Sequence, residues 1–335
     1  MKKKIIAIVV VLALVCLAVI KIFKDNADPN KTLKEVQDNL TSYYMESNMT
    51  LYNGEDKREF VVKVSYEKEE EKDYFKVSLF DKGINQEQII IKNEDGVYVL
   101  TPSLNQVYEF KGDWPLNSPK PYIYQSMLDL KENEYELKKV DDGYLITSKP
   151  NFDNKIQWKT QEVKFDKEYK PEFLNIYDEN NNLSLNIVVS KLEINKEFDD
   201  DYFNVDLNIQ ESRTNSSYTN AVSEEELPFL PVNSEVESNL KESSTYEING
   251  STYYILTYEG SKSFTMVQRL LEDNEEVVLN NVDGQLVDLI NGWGIYHDGI
   301  LTYCYNSVEY NIYSDVLTLD EMIELANGVE VSYTK

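Results

Sequence analysis

Between Met49 and Leu207 apolar side chains recur at every second position, a period that suits extended strands and cannot line one face of a helix. Phe60, Val62, Val64 and Tyr66 alternate with Val61, Lys63 and Ser65, and Phe75, Val77 and Leu79 with Tyr74, Lys76 and Ser78. Turn pairs separate such runs: Asn53-Gly54, Asp95-Gly96, Asp142-Gly143, Asp153-Asn154 and the stretch Asn180 to Asn182. Gly, Asn and Asp tolerate the backbone of tight hairpins, so the spacing predicts an antiparallel meander. The aromatic content points the same way, since 25 tyrosines outnumber 12 phenylalanines and 3 tryptophans. Tyrosine suits a sheet that is half buried and half wet.

One stretch breaks the rhythm. Asp113-Trp114-Pro115 and Pro119-Lys120-Pro121 bracket Tyr122, Ile123, Met127 and Leu130, which fit a short helix entered where proline is tolerated. Such an insertion is expected to cover an open face of the sheet. Upstream, Thr32 and Glu35 have capping-box spacing, and Leu33, Val36, Leu40 and Tyr43 or Tyr44 then share a helical face, predicting a helix of about four turns.

At 335 residues the chain exceeds what one core usually serves. Arg213 to Ser217, RTNSS, reads as a linker, and the stiff Leu227-Pro228-Phe229-Leu230-Pro231 follows a capped turn at Ser223 and Glu226. Beyond it, Asn249-Gly250 joins Tyr246–Ile248 to Tyr253–Tyr258 as a hairpin signal. Strand-like runs follow at Phe264–Leu270, Leu286–Ile290, Ile300–Tyr305 and Val308–Tyr313. Thr318 with Glu321, then Met322, Ile323, Leu325 and Ala326, and Gly328, read as a capped amphipathic helix. The expected organisation is a membrane segment at 1–24, a β domain at 30–210, a linker at 211–222 and a smaller antiparallel α+β domain at 223–335. The fold class is mainly β.

Lys2, Lys3 and Lys4 precede the uncharged run Ile5 to Ile20. As a helix, Ile5 to Phe23 would reach roughly 28 Å, close to the hydrocarbon thickness of about 30 Å. The lysines keep the N-terminus cytoplasmic, which places everything after Asp25 outside a single-pass cell-membrane anchor. Three fates stay open: an uncleaved anchor, a lipoprotein modified at Cys16, and a cleaved secreted form. Large Leu14 and Val15 precede Cys16 where lipid attachment wants small residues, and Ile20 to Asp28 offers no A-x-A cut site, so the uncleaved anchor is favoured.

The formal charge is −27, which repels phosphate backbones and excludes nucleic acid as a partner. It suits either attraction of cationic protein surfaces or simple solubility. Cys16 and Cys304 form no disulfide framework, and with His297 as the one histidine they leave too few ligands for structural zinc. Cys304 reads as a buried thiol rather than half of a Cys/His pair. Phosphate-cradling glycine loops, nucleophile elbows, H-E-x-x-H and C-x-x-C are missing, so no enzyme, cofactor or metal is expected. Glu69-Glu70-Glu71 and Asp199-Asp200-Asp201 read as solvated acidic loops, with weak cation binding as the alternative.

The export signal, the helix, the meander, the segment VYVLTPSLNQVYEF at 97–110 and Trp114-Pro115 before a plug-like helix together resemble the LolA-like and LppX-like lipoprotein carrier fold. More narrowly they are similar to its clostridial germination lipoproteins, the GerS group, over roughly residues 30 to 210. Residues 223–330 resemble a small extracytoplasmic domain of Firmicute membrane and sporulation proteins, on Leu227–Pro231, Phe264–Gln268, Val308–Ile312 and Leu319–Ala326. The resemblance implies a spore-forming source and a curved half-barrel whose concave apolar face holds a ligand or closes as core. Candidate ligand-binding residues there are Trp114, Tyr122, Met127, Leu128, Trp158 and Phe173. The implied function is a noncatalytic envelope protein that binds a protein partner in sporulation or germination; the alternative is a lipid or lipoprotein carrier or sensor.

Overall fold

The computed structural model describes residues 29–53, 56–110, 123–128, 134–150, 158–215, 222–231, 236–271, 276–290 and 292–329. Among them no helix is long and apolar enough to cross a membrane; the anchor expected at Ile5 to Phe23, with Cys16, lies outside the described residues.

Helix α1, Pro29–Asp38, opens the described chain. It is shorter than its apolar spacing suggests, because Tyr43 and Tyr44 already belong to the first strand. Six strands then run as a meander: β1 Ser42–Asn53, β2 Asp56–Glu69, β3 Lys72–Asp81, β4 Gln86–Lys92, β5 Val97–Thr101 and β6 Gln106–Phe110. After helix α2, Ile123–Leu128, a second meander follows: β7 Tyr135–Val140, β8 Gly143–Ser148, β9 Trp158–Asp166, β10 Pro171–Asp178 and β11 Leu183–Ile194. Strand β11 returns antiparallel to β1, fusing the two meanders into one sheet.

Helix α3, Val205–Asn215, takes in Arg213 to Asn215 of the stretch that composition marks as a linker. The remaining strands are β12 Asn239–Ile248, β13 Ser251–Glu259, β14 Phe264–Leu270, β15 Val278–Val282, β16 Gln285–Leu289, β17 Gly292–His297, β18 Ile300–Tyr305 and β19 Val308–Tyr313, before helix α4, Leu319–Asn327. Seven strands form an antiparallel sheet in the order β12-β13-β14-β19-β18-β17-β16. The exception is β15, which joins the edge of the first sheet parallel to β6, so that among the described residues that sheet has twelve strands. Among the described residues it is open, with β15 and β7 at its edges.

Local chemistry accounts for the ends of several elements. Asn249 and Gly250 both have positive φ, 52° and 84°, the backbone that a two-residue hairpin requires. Thr318 and Glu321 form a reciprocal capping box at the start of α4. Gly143 has φ 159°, and a Cβ there would lie 2.0 Å from the Phe165 carbonyl oxygen, so only glycine lets β8 pair this closely with β9.

Both faces of the first sheet are covered around β3 to β6. On one face Val77, Ile90, Val99 and Tyr108 belong to a core that includes Leu33 of α1, Tyr124, Met127 and Leu128 of α2, and Leu286, Trp293 and Ile295 of the second sheet. On the other, Ile89, Ile91, Leu100 and Val107 pack with Phe203 and Ile209, the latter on α3. The second sheet buries its own face against Met322, Leu325 and Ala326 of α4, with Ile84 of the β3–β4 turn joining that core.

Candidate functional site

The face expected to hold a ligand is occupied by the chain's own side chains. Met127 and Leu128 are 0% and 1% exposed on α2, and Trp158 packs against the same cluster. Burial of each contributes roughly 1.5–3 kcal/mol. Tyr124 meets Tyr43 edge-on at 5.1 Å, and the Tyr43 hydroxyl donates to Gln125 Oε1, fixing α2 over β1. Burial, with a smaller contribution from the charge of Asp166, pushes the Tyr124 hydroxyl up to about 12.

Phe173 is not part of this group. It is half-buried and alternates along β10 with Leu174 and Ile176, which are core residues, so it stands on the opposite face. Trp114 and Tyr122 lie outside the described residues.

The structure assembles a second constellation that the sequence pattern does not mark, a polar seam where the two sheets meet. Gln88 on β4 accepts from the Trp293 N–H at 3.2 Å and donates to the Cys304 carbonyl at 3.5 Å. Gln86 donates to Ser307 Oγ at 3.0 Å within buried surroundings. Arg58 donates to the Tyr305 hydroxyl at 2.7 Å and lies over that ring at 5.1 Å. Along the first sheet's edge, the Val278 N–H donates to the Asn105 carbonyl at 2.8 Å, beginning the β15–β6 pairing.

Two cavities of about 20 Å³ each lie in this seam, lined among others by Gln88, Thr101 and Cys304. Each has room for about one water molecule, far less than an acyl chain or a metabolite fills.

The seam also decides the chemistry of Cys304. Its Sγ lies 3.5 Å from the Tyr108 hydroxyl, and burial, with Glu309 second, pushes the thiol up to about 12. Such a thiol is protonated and inert at neutral pH. His297 is half exposed beside Asp298, at 3.4 Å, and pairs across β17–β18 with Ile300, whereas Cys304 pairs with Glu309 at the other end of β18. The fold therefore keeps the two apart.

Glu69 and Asp200, one from each acidic run, both act on Glu67. Burial, then the charges of Glu69 and Asp200, raises the Glu67 carboxyl above its ordinary range. Among the described residues no group of three or more acidic, His or Cys side chains is arranged to hold a metal ion.

No family model matches the chain. It is 28% identical over 309 residues to the sporulation protein YdcC of Bacillus subtilis, covering 90% of this chain and 90% of that protein. Among solved structures, it is similar to the MucA/MucB complex of Pseudomonas aeruginosa, with TM-score 0.34 at 12% identity over 91% of this chain and 99% of that one. It is also similar to a LolA superfamily protein from Nitrosomonas europaea, with TM-score 0.29 at 10% identity over 54% of this chain and 99% of that one.

Proposed function

We propose that this chain is a noncatalytic, membrane-tethered protein that serves sporulation outside the cytoplasmic membrane by docking a protein partner. The observation that carries the docking half is the filled face: α1, α2, β16 and β17 supply Leu33, Tyr124, Met127, Leu128, Leu286 and Trp293 where a carrier would hold its lipid. A sheet face completed by its own chain makes a rigid scaffold, which favours surface recognition over cargo in a pocket. The sporulation half rests on the 28% identity to the Bacillus protein, spread over nine-tenths of both chains. The basic cluster and apolar run at Lys2 to Ile20 support the tether and its orientation.

Deleting the gene in its source bacterium and counting heat-resistant spores tests this reading. A loss of spores restored by the intact chain, and not by a chain lacking residues 2–24, is expected. Unchanged spore yield on deletion would overturn it.

A further inference from the structure

Each open sheet ends in two edge strands, whose unpaired N–H and C=O groups are templates for another strand unless something blunts them. Among the described residues, three of the four edges are much shorter than the fourth. Strand β7 carries Glu136, Lys138 and Lys139 within six residues, and all three are exposed. Strand β15 is five residues long. Strand β16 is equally short, and the Ile290 N–H just beyond it is taken by Asn327 Oδ1 at the end of α4.

Strand β12 differs. It is ten residues long, and all but Ser244 are exposed. A bulge between Leu240 and Glu242 protects its beginning, where Lys241 also sits. From Glu242 to Ile248 it runs in unbroken register with β13, with neither proline, glycine nor lysine. Tyr246 and Ile248 point to one face and are 54% and 53% exposed. Tyr246 lies opposite Tyr253 there, forming an aromatic stripe that an incoming strand would extend.

The charge around this edge selects the occupant. Glu237, Glu242, Glu247 and Glu259 are all exposed, and the nearby Lys241 is already ion-paired with Glu259. A second copy of the chain, itself at −27, would set the same glutamates against each other, and facing like charges destabilise strand pairing. We infer that the edge of β12 from Glu242 to Ile248 is the docking site for an extended, lysine- or arginine-rich segment of a protein partner, added as an eighth strand to the second sheet. This rests on the docking function proposed above and gives it a place on the molecule.

Hydrogen–deuterium exchange of the full chain tests it, using as probe an octapeptide of alternating lysine and valine. Amides of β12 slow by about tenfold or more on binding, while β7, β15 and β16 are unchanged. The same peptide with proline at two adjacent central positions, which removes a donor from whichever side faces β12, gives no protection. The exposed double variant Glu242→Lys/Glu247→Lys stays folded and binds the lysine–valine peptide at least about tenfold more weakly. Equal protection by the proline peptide, or binding untouched by the charge reversal, overturns the proposal. Protection confined to another surface also overturns this edge assignment while leaving the docking function standing; normal spore yield on deletion removes the docking function whatever the peptide does.

Discussion

Gln268 pairs with Phe229 as if it were a strand. Its Nε2 donates to the Phe229 carbonyl at 2.6 Å, and its Oε1 accepts from the Phe229 N–H at 2.8 Å, both within a side chain that is 0% exposed. One amide thereby satisfies both polar groups of a buried residue in the Leu227–Pro231 connector.

Gln268→Leu leaves both Phe229 groups buried without partners and is expected to destabilise the fold by about 2–4 kcal/mol in urea unfolding. Gln268→Glu keeps the acceptor, loses the donor and buries a charge. Its deficit should shrink as pH falls and the carboxyl takes a proton. A leucine variant within about 0.5 kcal/mol of wild type would rule out this role.

At the seam, Gly292 has φ 134°, and a Cβ there would sit 1.9 Å from Gln88 Oε1. Gly292→Ala therefore combines backbone strain with loss of the Gln88 bond to the Trp293 N–H. A destabilisation of about 1–3 kcal/mol is expected by thermal or urea unfolding. Adding Gln88→Ala removes the clash but not the strain, so the double variant should be less unstable than the sum of the singles.

Cys304 should resist alkylation. In a Cys16→Ser background at pH 8, a thiol held at about 12 reacts about a thousandfold more slowly with iodoacetamide in the native protein than in denaturant. Comparable rates in both states would place the sulfur outside the seam.

Alkali should unfold the protein through its buried phenols. Tyr124 is pushed to about 12, and burial raises Tyr108 and Tyr310 further. Native phenols thus keep protons that unfolded ones, titrating near 10, release. The stability these groups contribute is complete below pH 10 and is lost as pH rises above it, through 12 for Tyr124 and beyond for Tyr108 and Tyr310. The urea midpoint should fall between pH 9 and pH 11; a flat midpoint would contradict the burial of these hydroxyls.

What the sequence makes legible is the local part of the fold. The alternation at Phe60–Tyr66 and Phe75–Leu79 appears as β2 and β3, Asn249-Gly250 as the β12–β13 turn, and Thr318 with Glu321 as the cap of α4. Tyr43 and Tyr44 mislead because four-residue spacing after Leu40 suits a helix, yet pairing with β2 and β11 satisfies far more backbone. Arg213 and its neighbours look like a linker by composition, while the shared Phe203 and Ile209 packing holds their helix against the sheet. The docking of β15 beside β6 is a parallel contact across some 170 residues of chain, and nothing local encodes it. For the candidate site, alternation alone separates Phe173 from Leu174 and Ile176; the seam around Gln88 depends on how two sheets meet and leaves no mark in either strand.

The filled face of the first sheet is tested most directly by native mass spectrometry of the chain from Pro29 onward, purified from its source bacterium without detergent. The expected spectrum contains the polypeptide mass alone, with Met127 and Leu128 occupying the place of a ligand. A stoichiometric added mass of a fatty acyl lipid, lost on a Met127→Lys substitution, would contradict a self-filled sheet and make the protein a carrier.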